Sequence, residues 1–319
     1  MKVKTLTFSV FALLFTSQAI AQQATEAKIY QNYPLGMNML QFSYGRQSTN
    51  STIDGDITLP NKDVDIDATI MYLRYATFFN LFNKTAGIQV VLPYVDINAN
   101  FFGTKANNSG LGDMIFVIGS NIIGGKPMAF GEYLQTPKET VFAWSLATTA
   151  PTGSFSSEKL LNPSGNRWQF KPEFAVSIPV SKFDIEVYAA AKFFTTNNKL
   201  PSTVLGQPAS SVSQKPFYSL TFHSVYNIND KIWVSFDAAG RTGGETKKNG
   251  IAQNDSQTVL GLGGSMNYSP SVHHKIGVSF ITNAAGDENS PNGSIYALKY
   301  SYVFGGGIDK TLQELKDKK

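Results

Sequence analysis

Lys171 and Glu173 stand two residues apart, and Asp184 and Glu186 repeat that spacing a short way on. Paired carboxylates are the equipment of general acid–base hydrolysis. Nothing else in the chain supports a hydrolase of that kind. A serine–histidine pair would be a second route, that of a lipid hydrolase working at a membrane boundary. His223 is the one histidine away from the His273-His274 dipeptide, with Ser219, Ser224 and Ser235 near it in sequence. No acid clearly completes a set, so His223 reads first as a hydrogen-bonded interior histidine. His273-His274 falls in a turn and reads as solvated. With no cysteine and no third ligand close by, a zinc site is not supported. Gly261-Leu-Gly-Gly264 lacks the lysine and helix of a phosphate loop. No catalytic residue, metal or cofactor is assigned.

The elements carrying these residues are legible between Arg167 and Phe194. Trp168, Phe170, Phe174, Val176 and Ile178 alternate with Arg167, Gln169, Lys171, Glu173 and Ser177. After a tight turn, Phe183, Ile185, Val187, Ala189, Ala191 and Phe193 alternate with Asp184, Glu186, Tyr188 and Lys192. Side chains on a strand change faces at each residue. This is a hairpin with one apolar and one charged face. A soluble sandwich would bury the apolar face, whereas a membrane barrel turns it to lipid and keeps the polar face in a lumen.

The start of the chain favours the barrel. Lys2 and Lys4 precede the apolar run Leu6–Phe15 and the small-x-small site Ala19-Ile20-Ala21, which reads as a signal peptide, 1–21, cleaved after Ala21. No later stretch has the roughly 18 continuous apolar residues of a membrane helix. Loss of Lys2 and Lys4 lowers the formal net charge from +4 to +2, too little to point to nucleic acid. Residues 22–36 read as a periplasmic lead-in and 37–304 as the barrel. Residues 305–319 read as a charged periplasmic tail with the makings of a short helix.

About twelve strands follow from the alternation, the first at Met37–Gln47 and the second at Val64–Phe79. In the third, Thr85–Asn100, Pro93 predicts a bulge and a register change that turns Asp96 and Asn98 inward. Phe101–Ser109 reads as a polar loop and Gly110–Ile122 as the fourth strand. The connection 124–138 is of unassigned structure, Ala150–Asn166 is a long loop, and Thr195–Gln214 and Thr242–Asp255 are surface loops. Strands set His223 opposite Phe222, Asp237 and Arg241 opposite Phe236, Lys275 opposite Ile276, and Lys299 opposite Leu298. Their length suits a tilted membrane crossing. Short and long connections alternate for most of the chain, as in outer-membrane barrels. The fold class expected is all-β, a transmembrane antiparallel barrel of the outer membrane.

Several short motifs share an order and spacing: Gly110-Leu-Gly-Asp113 opening a strand, Ala150-Pro-Thr-Gly153 ending one, Leu161-Asn-Pro-Ser-Gly-Asn-Arg-Trp168 leading into the charged hairpin, and Tyr300-Ser-Tyr-Val-Phe304 before a glycine run. Together they resemble the outer-membrane transporter family of the phenol-degradation meta-pathway, which is itself similar to the twelve-stranded channels that export amyloid subunits. Those export channels carry a coiled-coil extension for which this chain has no room. The resemblance implies an outer-membrane channel in the bacterial cell envelope. Outer-membrane lipid, a small-molecule solute and the barrel-assembly machinery are the implied partners. The last of these follows from the aromatic-ended final strand, which resembles an assembly signal although about fifteen residues follow it.

Parity then assigns the lumen: Arg74, Asp113, Arg167, Lys171, Glu173, Asp184, Glu186, Lys192, His223, Asp237, Arg241, Lys275 and Lys299. An arginine or lysine facing lipid near the midplane would cost about 2–4 kcal/mol. These charges either pair across strands and brace the barrel or line a polar path that selects solutes. The expectation is passive uptake or efflux of small molecules, hydrophobic or aromatic ones included, gated by Ala150–Asn166 or Thr195–Gln214. A plugged structural or adhesive barrel and a lipid hydrolase are the alternatives.

Overall fold

The strands run in chain order β1 (Met37–Thr49), β2 (Val64–Leu81), β3 (Lys84–Phe101), β4 (Thr104–Leu111), β5 (Met114–Ile123), β6 (Val141–Ala150), β7 (Gln169–Val180), β8 (Phe183–Phe194), β9 (Asn197–Leu200), β10 (Ser210–Gln214), β11 (Phe217–Asn227), β12 (Ile232–Gly243), β13 (Thr246–Lys248), β14 (Ile251–Ala252), β15 (Gln257–Tyr268), β16 (His274–Gly286) and β17 (Gly293–Gly305). Two helices join them, α1 (Phe130–Tyr133) and α2 (Ile308–Asp317). The computed structural model describes residues 26–50, 64–101, 103–159, 161–200 and 210–318. The signal-peptide expectation falls outside them.

Every neighbouring pair in the barrel is antiparallel, and the ladder closes through β1–β17 and β2–β3. Twelve staves make the wall: β1, β2, β3, β5, β6, β7, β8, β11, β12, β15, β16 and β17. Closure leaves no wall edge to aggregate. At one end the staves are joined by tight turns. The β2–β3 turn is built on Phe82 and Asn83, both at positive φ, as a two-residue turn matched to strand twist requires. At the other end β9, β10, β13 and β14 form a separate four-stranded sheet. Among the described residues no helix is long and apolar enough to cross a membrane; the strands make the crossing.

The alternation sorts as the sequence predicts. On β1, Leu40, Phe42 and Tyr44 are exposed on the outside while Gln41, Ser43 and Gln47 are buried within. On β7, Phe174 is 53% exposed and Glu173 is 4% exposed. An apolar outer surface around a buried polar interior is the membrane arrangement. Placing a cation on that surface, Phe174→Arg, is expected to cost about 2–4 kcal/mol, to be measured by denaturant unfolding of barrel refolded into vesicles.

Three sequence expectations change. Pro93 makes no bulge: β2 and β3 stay in register past it, Tyr72 opposite Pro93. On its other side β3 exchanges partners there, pairing with β5 before Pro93 and with β4 after it. The missing donor therefore sits where the ladder changes hands, and Pro93 still accepts from the Gly112 amide at 2.9 Å. Parity is unbroken, so Val95, Ile97 and Ala99 face inward into a cluster with Ile66, Ala68, Ile70 and Leu161. Asp96 and Asn98 do not face inward. The stretch 101–109, expected as a loop, is largely strand β4, and Gly110–Ile122 is two strands broken at Gly112-Asp113. Strand also replaces loop over Asn197–Leu200, Ser210–Gln214, Thr246–Lys248 and Ile251–Ala252.

Candidate functional site

The lumen holds a segment of the chain's own N-terminus. Residues 22–36 were expected as a lead-in outside the barrel; its described part, 26–36, lies among the inward side chains of the staves. Glu26 meets Lys299 of β17 at 3.0 Å and Arg74 of β2 at 3.4 Å, and accepts from the Tyr72 hydroxyl at 3.0 Å. The Lys28 ammonium meets Asp184 of β8 at 3.0 Å, and its backbone amide donates to Glu186 at 2.7 Å. Lys28 also donates to Asn227 and lies over the Trp233 ring. Tyr30 donates to Glu173 of β7 and pairs with Ser145 of β6, both at 2.6 Å. Tyr33 stacks on Phe78. Beyond it, Leu35 donates to Met128 in the connection that carries α1, and α1 packs with α2 through Phe130 and Ile308.

These contacts set the charge states of the segment. Burial would raise the Glu26 carboxyl, but Lys299 and Arg74 outweigh it and hold the group well below its ordinary value of 4.5. Burial acts on Lys28 in the opposite sense to its neighbour Asp184 and brings it down to about 8. A buried charge that lost its partner would be strongly unfavourable, so the segment and the lumen charges stabilise each other.

Twelve of the thirteen residues assigned to the lumen fall into four groups, and Lys275 belongs to none of them. Arg74, Lys299, Glu173, Asp184 and Glu186 hold the segment, with Lys171 at 2.8 Å from Glu173. Asp184 takes a further ion pair from Lys138 at 2.8 Å. Nearer the loop end, Arg167 lies over the Phe194 ring and Arg241 over Phe217, while Phe194 and Phe217 meet edge to face. Lys192 also lies over Phe194. Arg167 donates to Gln214 and Arg241 to Gln257. A cation over a ring face is attracted by the ring quadrupole. Lys275 stands opposite Ser301 on β16, half-buried.

The third group is His223 and Asp237, paired across β11 and β12. His223 Nδ1 lies 2.7 Å from Asp237 Oδ1, and the Ser265 hydroxyl donates to Asp237 Oδ2 at 2.8 Å. The acid that the sequence reading lacked is therefore Asp237. The serines do not complete a nucleophilic set: among the described residues nothing is hydrogen-bonded to His223 Nε2. Ser219 stands four residues up the strand, about 13 Å away, and Ser224 points to the opposite face.

Asp113 is the fourth group. It is buried at the β4–β5 break, where it accepts from the Gly153 amide at 3.0 Å, the Ser164 hydroxyl at 2.6 Å and the Gly165 amide at 2.9 Å. It fastens the loop after β6 against the wall. Gly153 fits there because a Cβ would lie 2.6 Å from the Gly112 carbonyl carbon and the Leu111 oxygen. Asp113→Ala strands three donors and is expected to cost about 3 kcal/mol or more; faster proteolysis within 151–168 and a lower unfolding temperature would report it.

Between the segment and the wall lies a cavity of about 140 Å³. Ile70, Tyr72, Val91, Ile115, Val117 and Ala147 form an apolar side, and Glu173, His223, Asp237 and Ser265 a polar one. The sequence reading missed Glu26, Lys28, Tyr30 and Tyr72 as parts of this site. The i, i+2 spacing of Glu26, Lys28 and Tyr30 was the available signal, since it repeats the polar periodicity of the staves they meet.

Among solved structures, an outer membrane channel from Pseudomonas putida F1 matches with a TM-score of 0.74 at 18% identity, over 88% of this chain and 99% of that one. The beta domain of the Bordetella autotransporter BrkA matches with a TM-score of 0.53 at 12% identity, over 85% of this chain and all of that one, 100%. Both likenesses concern the fold, an outer-membrane barrel. No curated protein matches the sequence significantly. The family model described as "Putative MetA-pathway of phenol degradation" matches residues 47–297. That span runs from β1 to β17 and takes in Asp113, the loop it fastens and the His223–Asp237 pair; the chain is an outer-membrane β-barrel belonging to this phenol-degradation family.

Proposed function

We propose that the protein is a passive outer-membrane channel for small, largely apolar molecules, through a lumen narrowed by residues 26–36. The observation that carries this reading is the central cavity. Its size is that of a single small molecule, one side is apolar, and it lies inside the barrel wall. Membership of a family described by phenol degradation, and the fold shared with an outer membrane channel, support the same reading. The mixed charge of the lumen disfavours a strong preference for either ion sign. Liposomes containing the refolded protein should take up small aromatic solutes faster than empty liposomes. Equal rates for every solute tried would sink the channel reading.

A second reading is a structural barrel whose lumen is filled. The ion pairs of Glu26 and Lys28 with β2, β8 and β17 favour it. It calls for no solute flux and no single-channel conductance in wild-type protein, even after the segment is loosened by substitution.

A further inference from the structure

We propose that His223 is the selectivity element of the central cavity, accepting a hydrogen bond at Nε2 from the hydroxyl of a compact neutral solute. A carboxylate can only accept, so in the neutral imidazole the contact with Asp237 places the single ring proton on Nδ1 and leaves Nε2 as a lone-pair acceptor. His223 is 1% exposed, it lines the cavity, and its Nε2 has no partner among the described residues. A buried polar atom without a partner is rare enough to call for an explanation, and a ligand donor is one that the surroundings supply room for. Asp237, held in turn by Ser265, fixes both the ring orientation and the tautomer.

The dimensions and the opposite wall define the rest of the ligand. The cavity measures about 140 Å³, close to the roughly 150 Å³ in which an engineered apolar cavity holds benzene. Val91, Ile115 and Tyr72 offer a surface for one ring. The class is thus a single ring, aromatic or saturated, carrying a neutral O–H. A hydrocarbon of the same size satisfies the apolar wall but leaves Nε2 unpartnered. The inference rests on the channel reading and adds a chemical preference to it.

The test uses full-length mature protein in lipid nanodiscs with ¹⁵N-labelled histidine, which gives resonances for only three side chains, His223, His273 and His274. Phenol and cyclohexanol should each shift the His223 Nε2 resonance saturably. Toluene should bind about tenfold or more weakly, the loss of one hydrogen bond to a buried acceptor, and should leave that resonance in place. Asp237→Asn, which frees the tautomer, should reduce phenol binding by a larger factor than toluene binding. His223→Phe should remove the preference for phenol over toluene. If either variant fails to fold, the wild-type titrations decide by themselves. Equal binding of phenol and toluene, or phenol binding without movement of the His223 resonance, overturns the proposal. So does tighter binding of benzoate than of phenol, which would mark a protonated imidazole serving as an anion site. Liposome uptake that persists while phenol leaves His223 untouched defeats this inference alone, whereas absent uptake of every solute defeats the channel reading.

Discussion

A chain beginning at Pro34 is expected to conduct severalfold more than the barrel that keeps residues 26–33 in single-channel recordings. The segment it lacks occupies the lumen through contacts on β2, β6, β7, β8 and β17. A milder version removes one side chain. Glu26→Ala leaves Arg74 and Lys299 facing each other without their shared carboxylate. Breaking a buried pair costs about 3–5 kcal/mol. Glu26 is a quarter exposed, so about 2 kcal/mol is the appropriate figure for an incompletely desolvated pair. That corresponds to a roughly thirtyfold change in the docking equilibrium. Large-conductance openings should become correspondingly more frequent while the barrel's unfolding in denaturant is little altered. Identical traces from wild type, the truncated chain and Glu26→Ala would show that the segment does not limit passage.

Openings should also increase in acid and decline in base. The docked Glu26 titrates well below its ordinary value of 4.5. Docking energy from this group is therefore fully present above about 4.5 and is lost as pH falls toward the docked value. Arg74, Tyr72 and Lys299 are the charged and titratable groups that face it. Lys28 has the same sign for a different reason. Burial lowers it from 10.5 to about 8, so the docked state sheds its proton first and docking gains strength as pH rises from about 8 to about 10.5. Asp184, Glu186 and Lys138 face Lys28. Both groups thus make the segment bind more tightly as pH rises. Recordings between pH 3.5 and 9 should show opening frequency falling on the acidic limb up to about 4.5, level through neutrality, and falling again from about 8, and Glu26→Gln should flatten the acidic limb. A frequency that rises with pH would contradict the assignment of these two residues.

The barrel was legible because each stave repeats one physical rule. Phe170 and Phe174 against Lys171 and Glu173, or Tyr218 and Leu220 against Ser219 and Thr221, can be read without knowing any neighbour. The reading failed where that rule is relaxed. Thr104–Leu111 has polar residues on both faces, since this stretch extends past the lipid and needs no apolar side, so a strand resembled a loop there. Pro93 suggested a bulge because its missing donor is visible in sequence. The partner exchange that makes the missing donor harmless is visible only in the sheet. Parity proposes the charged lumen positions, but their groupings required register. Asp237 is fourteen residues from His223 and becomes its partner only when β11 and β12 are aligned. Glu26 could not be matched with Lys299 from sequence, since the two are separated by nearly the whole barrel.

That last separation bears on assembly. Glu26 touches β2 and β17, which are the two strands on either side of β1. The β1–β17 ladder joins the ends of the barrel and carries the largest sequence separation of any pairing in the wall, hence a high entropic cost of closure. Glu26 can meet Arg74 before the seam forms but can reach Lys299 only once β17 is alongside β1. The final zipping of the cylinder and the engagement of its internal strap are therefore coupled events. A nascent barrel with Lys299 neutralised would lose an electrostatic cue for its own completion before it lost anything in transport.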